Sequence, residues 1–533
     1  MTNETPSRSR RDFLASVAAL AAIHPRLLLA AKEGPVARTA YGSVQGTVNQ
    51  LGVVAFKGVP FAATTGGANR FHPPIPPAPW TGVREAANPG PISPQNDDDK
   101  IGAYAKYTQS EDCLNLNIWT PAADGGRRPV IMFMHGGGFT TGSGSLGLYD
   151  GSILAKAHEV VVVTINYRLG LLGFPPFQLH GAGISNNLGL LDSIAALKWI
   201  RENISGFGGD PSRVLQCGQS AGAMISAGLG VLPAASGLYQ RAVPMSAQYL
   251  VTVDRDRQAR YTRELLDALG LGPKDAARLQ SLPVADLLRA QGTVREKGLA
   301  APGIEDQKRW PFMLNRDDVV FRDEPCELIK RGKYADVATL VGATTEELLL
   351  SPAQEKANPT ARERSLKSAC LGGLTAQLGT ERAGRIWDLY AAEYPMATEV
   401  DICGMIGTDQ LYRMPAIRIA EARPGRSWSY AAAYRGTGPF FTGAHHAIDL
   451  PFWFGTLAYP QLAGFFLGHP ATEAELALSS LMQKTLAGFA RDGRAPWPKY
   501  DLTHRPTMVF DLESKVVNDP ASATRAIWDG IVT

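Results

Sequence analysis

Val214-Leu215-Gln216-Cys217-Gly218-Gln219-Ser220-Ala221-Gly222 joins a short apolar run to a G-x-S-x-G pentapeptide. The residues before Gly218 read as a buried strand, and the alanine-rich apolar stretch from Ala221 to Leu232 reads as a helix. A strand that gives way to a helix this abruptly needs small neighbours at the turn. Glycine tolerates the strained backbone, and the serine Oγ is left at the top of a sheet. In a chain with 55 glycines the pentapeptide is also met as a plain turn. The strand before it and the helix after it favour Ser220 as a nucleophile.

Outward from this turn, the runs Val130 to Met134, Val160 to Ile165 and Val337 to Val341 are further buried strands. Between two of the strands, Leu190, Leu191, Ile194, Leu197 and Ile200 recur at helical spacing within Leu188 to Ile204. Near-continuous apolar strands separated by such a helix indicate a parallel α/β sheet covered on both faces. No stretch after residue 40 reads as a linker or repeat, so the expected organisation is one large domain, 32–533, with long excursions.

His135-Gly136-Gly137-Gly138-Phe139 follows the first of these strands. Consecutive glycines let backbone N–H groups face a substrate oxygen unobstructed. The N–H groups of Gly137, Gly138 and Ala221 are therefore the expected oxyanion donors, although a triple glycine also suits a flexible turn. His135 is expected to order this loop, because the triad histidine comes last in the chain order of such enzymes.

With 533 residues, 45% of them hydrophobic, the chain can bury a large core. A net charge of +3 without a basic, aromatic-interleaved patch argues against nucleic acid as a partner. Five cysteines, an odd number, do not make a disulfide framework. At the N-terminus, Ser9-Arg10-Arg11-Asp12-Phe13-Leu14 and the apolar stretch Ala15 to Ile23 resemble a bacterial twin-arginine export signal, taken as residues 1–31. That implies a periplasmic or secreted protein. The stretch is too short to span a bilayer, and no other apolar run is long enough for a membrane helix. Asn96 to Lys100 reads as a solvated acidic loop, and Pro73 to Pro79 as an extended surface segment.

Four longer motifs occur in one order: Phe56-Lys57-Gly58-Val59-Pro60-Phe61-Ala62, Glu111-Asp112-Cys113-Leu114-Asn115-Leu116-Asn117-Ile118-Trp119, Asn166-Tyr167-Arg168 and Phe207-Gly208-Gly209-Asp210-Pro211. Together they resemble the type-B carboxylesterase and cholinesterase family of α/β-hydrolases. The resemblance implies the α/β-hydrolase fold, a large, mostly parallel, twisted sheet with helices on both faces. It also implies hydrolysis of a small-molecule ester through an acyl-enzyme, with no metal or cofactor, by a monomer or homodimer. Gly342 to Leu348 matches the family's acid segment and puts Glu347 on the acid position. Glu346 stays an alternative because the segment's asparagine and final glycine are missing. Gly443 to Asp449 matches the histidine segment, with His446 as base and His445 as its rival. A His445, His446 and Asp449 metal site is a different reading of the same residues. The order Ser220, Glu347, His446 agrees with that of the hydrolases. Ser246 matches a serine that the resemblance places near the acid; it reads equally as an ordinary buried serine.

Three further positions depart from the family. Gln219 stands where a glutamate usually precedes the nucleophile, which argues for neutral esters over cationic ones. Ser93 replaces the cysteine that would pair with Cys113, so Cys113 is expected to be free and buried. Asp449 replaces a glutamate. The loop before Cys113 offers Tyr104 and Tyr107 but no tryptophan, so a cation-binding indole is not evident. The expected walls of the substrate pocket lie around Arg295 to Phe312 and Phe440 to Thr442. An amidase or peptidase on the same scaffold, and a non-catalytic binding protein, are the competing readings.

Overall fold

The computed structural model describes residues 32–96, 104–177, 184–248, 252–299, 311–334, 336–349, 365–438 and 441–531. The arginine pair of the expected export signal and most of the acidic run lie outside the described residues. The strands are β1 (Lys32–Arg38), β2 (Ser43–Val48), β3 (Val54–Pro60), β4 (Val83–Glu85), β5 (Asn115–Thr120), β6 (Arg128–Met134), β7 (Val161–Ile165) and β8 (Gly209–Gln219). They continue with β9 (Arg241–Met245), β10 (Ala338–Thr344), β11 (Ser427–Ala432), β12 (Gly436–Thr437), β13 (Thr442–Gly443), β14 (Pro506–Phe510) and β15 (Lys515–Asn518). Apart from the β12–β13 pair, they form one 13-stranded sheet among the described residues, in the order β1-β2-β3-β5-β7-β6-β8-β9-β10-β11-β14-β15, with β4 beside β2.

From β7 to β14 every pairing is parallel. The leading strands β1, β2, β3 and β5 and the last strand β15 add antiparallel edges, which only the pairing reveals. Alternate residues of the central strands point to opposite faces. Met132, Met134, Val163 and Val214 enter one core, and Ile131, Phe133, Val162 and Leu215 enter the other. The helix Leu188–Asn203 covers the first face through Leu190, Ile194, Leu197 and Ile200, matching its sequence pattern. The helix Glu473–Asp492 covers the second through Leu478, Met482, Leu486 and Phe489. This is the mostly parallel, doubly covered sheet expected of an α/β-hydrolase.

The helix after Ser220 is shorter than its apolar stretch suggests. It ends at Leu229, because Gly230 and Pro233 are poor helix residues. Arg168 has a structural part: its Nε and Nη2 donate to Asp192 at 2.9 and 2.6 Å, with both side chains buried. This pair fastens the loop after β7 to the helix Leu188–Asn203; breaking a buried pair from one side costs about 3–5 kcal/mol. A separate helical core, built around Trp387, Tyr390 and Trp528, forms from the excursion after residue 365 and the C-terminal segment.

All five cysteines are free and buried. The Ser93 hydroxyl lies within hydrogen-bonding reach of the Cys113 thiol, whose pKa burial pushes up to about 12. Ser93→Cys is therefore expected to form a disulfide with Cys113 on oxidation. Closing a loop of about 20 residues stabilises by about 3 kcal/mol. The variant should show one fewer reactive thiol than wild type when titrated in denaturant, and a raised Tm that reductant reverses.

Candidate active site

Ser220 sits between β8 and the helix Ala221–Leu229 with φ 58° and ψ −123°, a conformation costly for a residue with a Cβ. The turn is held from both sides. The Ser220 N–H donates to the Met245 carbonyl at 3.0 Å, and the Ser220 carbonyl accepts from Met224 N at 2.9 Å. The flanking glycines are required by close backbone approach. A Cβ on Gly222 would lie 2.0 Å from the Met134 carbonyl oxygen, and one on Gly218 would lie 2.3 Å from the Gly222 oxygen.

β6 lies between β7 and β8, so the chain order reverses there, and parallel α/β sheets bind ligands outside the carboxyl ends of such strands. Met134 pairs with Gly218, which brings the glycine loop after β6 alongside the serine turn. Gly137 has φ 120° and Gly138 φ 59°. A Cβ on Gly137 would lie 2.0 Å from the Thr141 oxygen. Gly137, Gly138 and Ala221 all line the same cavity as Ser220. Ala221 opens its helix, so no helical carbonyl takes its N–H. His135 holds this loop: its Nδ1 lies 2.7 Å from the Gly136 oxygen, and its ring stacks on Tyr167 at 4.4 Å. The Tyr167 hydroxyl donates to the His135 carbonyl at 2.6 Å. Burial pushes the His135 imidazole down to about 4, so it stays neutral, as suits a residue that orders a loop.

The turn after β10 separates the two glutamates. Glu347 is 1% exposed. Its Oε1 accepts from Thr344 N at 2.8 Å, and its Oε2 meets His446 Nδ1. Glu346 instead accepts from Ala444 N at 2.7 Å and pairs with Arg435. It thereby pins the histidine loop to the acid turn. A Cβ on Gly443 would lie 2.5 Å from Glu346 Oε2, which explains the glycine there. His445 turns its ring edge-on to Phe441, 5.7 Å away, while His446 faces the acid. Burial works against the charged His446 imidazole, but the adjacent Glu347 carboxylate outweighs it and leaves the pKa raised. His446 Nε2 lies 3.2 Å from the side-chain nitrogen of Gln219. Ser246 follows β9 beside the acid strand, its N–H donating to the Gly342 carbonyl at 2.8 Å. Its hydroxyl has no partner among the described residues.

Asp449 is buried behind the histidine, with Oδ2 accepting from Trp453 Nε1 at 3.0 Å and Oδ1 without a partner among the described residues. His445, His446 and Asp449 thus turn to different neighbours, and among the described residues no group of His, Cys, Asp and Glu is placed to hold a metal ion. Burial, then the nearby Glu347 charge, pushes the Asp449 carboxyl up to about 6. A carboxyl that holds its proton more tightly folded than unfolded makes stability fall as pH rises from about 4 to about 6, by about 3 kcal/mol for two units. Asp449→Asn is therefore expected to raise Tm at pH 7.5 and to change it little at pH 4. Thermal melts at the two pH values check this, and an equal effect at both would contradict it.

Ser220 opens into a cavity of about 520 Å³. Leu146, Leu148, Leu450, Phe441, Phe465 and Phe466 supply apolar walls, and no Asp, Glu, Lys or Arg lines it among the described residues. Phe441 falls in one of the two expected wall regions. In the other, the described residues do not line the cavity, although Met313, next to Phe312, does. Sequence reading missed Tyr412, Gln248 and the Phe465-Phe466 pair. Tyr412 lies on a one-turn π-helix, Asp409–Arg413, accepts a hydrogen bond from Gln248, and stands 5.1 Å from the His446 ring. Such π-turns recur at functional sites, but nothing in the local pattern separates this one from ordinary helix.

Residues 33–528 match the Carboxylesterase family. The chain belongs to that family. It is 35% identical over 503 residues to the para-nitrobenzyl esterase of Bacillus subtilis, covering 92% of this chain and 97% of that one. It is 33% identical to the phenmedipham hydrolase of Pseudarthrobacter oxydans, covering 79% and 83% of the two chains. The solved structure of a Geobacillus stearothermophilus carboxylesterase superposes with a TM-score of 0.80 at 33% identity, over 92% of this chain and 99% of that one. The chain is a carboxylic ester hydrolase of the α/β-hydrolase fold.

Proposed function

We propose that this carboxylesterase hydrolyses neutral, apolar esters through an acyl-enzyme on Ser220. The observation that carries the substrate class is the cavity around Ser220, apolar and without a charged wall residue among the described residues. His446 Nε2 takes the Ser220 proton as Oγ attacks the ester carbonyl. Glu347 holds the proton on Nδ1 and stabilises the imidazolium. The Gly137, Gly138 and Ala221 N–H groups receive the oxyanion. The intermediate collapses, its C–O bond breaks, and His446 gives the proton to the leaving alcohol. Water then attacks the acyl-enzyme by the same proton route, releasing the acid and restoring Ser220. Gln219 in place of a carboxylate removes a negative charge beside the nucleophile that would attract a cation.

Residues 32–533 are proposed to act as one domain, as monomer or homodimer, in the periplasm or outside the cell. Export by the twin-arginine route is supported by the segment around Arg10 and Arg11. Among the described residues no helix is long and apolar enough to cross a membrane.

The test is a panel of p-nitrophenyl and p-nitrobenzyl esters of rising acyl length, with a choline ester and an anilide. Neutral esters are expected to exceed both in kcat/KM by at least about tenfold, a difference of about 1.4 kcal/mol. A preference for the choline ester would overturn the neutral-substrate reading, and one for the anilide would favour an amidase.

A further inference from the structure

We infer that Gln219 is a positioning residue that keeps His446 in its neutral, proton-accepting form; this rests on the assignment of Ser220, His446 and Glu347 above. Glu347 accepts at Nδ1, so the neutral imidazole carries its proton there and Nε2 is left as an acceptor. The group facing Nε2 at 3.2 Å is the Gln219 amide nitrogen, in a residue that is 3% exposed. Only a donor suits a lone pair, which orients the amide with its NH2 toward His446. Its Oε1 then lies on the Gly136 side, 2.7 Å from where a Cβ on Gly136 would be.

A hydrogen bond to the neutral form of a base favours that form. Once Nε2 is protonated, it would point a second donor at the amide NH2 and could bond only after the amide turns its Oε1 toward it. Gln219 therefore opposes the carboxylates around His446. Glu347 from the turn after β10, and Asp449 from the histidine's own loop, both favour the imidazolium. His445 disfavours a second charge beside it. Tyr412 packs its ring against the imidazole, and the Ser220 hydroxyl stands on the elbow beside Gln219. A glutamate at 219 would add a third carboxylate and could not donate to Nε2. Nε2 accepts one hydrogen bond, so Gln219 gives up its place as the Ser220 hydroxyl approaches.

The test is the acid limb of kcat/KM against pH with a neutral p-nitrophenyl ester, which reports the free-enzyme base. Gln219→Met keeps the length without the donor and is expected to move the limb up by about half a pH unit. Gln219→Glu is expected to move it up by about one unit or more. Gln219→Asn, whose amide stops one methylene short, should behave like the Met variant and serves if Met disturbs packing. A Met or Asn limb at or below wild type, or a Glu limb no higher than theirs, would overturn the inference. Should Ser220→Ala be inactive while the limbs coincide, only this inference fails. An active Ser220→Ala would instead remove the reading on which it rests.

Discussion

Ser220→Ala is expected to lower kcat on a neutral p-nitrophenyl ester by about 10⁴-fold or more, with KM little changed. The loss is one of chemistry. The oxyanion donors, the apolar cavity and the elbow's backbone bonds to Met245 and Met224 do not depend on the hydroxyl. What disappears is the covalent step, and residual turnover would come from binding and the oxyanion site acting on water. Alanine meets the same strain at φ 58° as serine, so the fold should persist. Steady-state kinetics, with circular dichroism as the control for folding, decides it. Activity within tenfold of wild type would remove the proposed mechanism.

Glu347→Gln is expected to cost about 10³–10⁴-fold in kcat, whereas Glu346→Gln should cost less than about tenfold. The contrast follows from the neighbours. A glutamine at 347 can still accept from Thr344 N, so the buried turn keeps its bond. It can also present an NH2 to His446 Nδ1, which drives the proton to Nε2 and removes the base. Glu346 touches Ala444 N and Arg435 but not the imidazole. Its loss should loosen the histidine loop and appear more in Tm than in kcat. The reverse ranking in parallel kinetics would exchange the two glutamates.

Much of this site is legible in the amino-acid sequence because its parts are local. The serine turn needs glycine at 218 and 222 for reasons that concern a few neighbouring atoms, and such needs leave a mark in five residues. Glu347 and His446 are harder. Each has an adjacent twin, Glu346 and His445, and composition cannot tell which member of a pair turns inward. The family motif points to the two side chains that meet in the structure, and the reason becomes visible in the turn. The 346 side chain is used to pin the histidine loop, which leaves 347 to face the ring.

Gln219 shows the limit most plainly. As a letter in the motif it is a lost negative charge. In the folded chain its amide meets His446, 227 residues later, at the nitrogen proposed to accept the serine's proton. Tyr412 and the Phe465-Phe466 wall are likewise absent from any local pattern. The family resemblance supplied the order of nucleophile, acid and base; by itself the sequence determined the buried strands, the helix that covers them and the elbow. Those depend on apolar periodicity and on backbone geometry over short spans. Only the tertiary structure decided which of two neighbouring side chains meets the imidazole, what surrounds the cavity, and what Nε2 bonds. Those depend on side-chain directions where strands and loops distant in sequence converge.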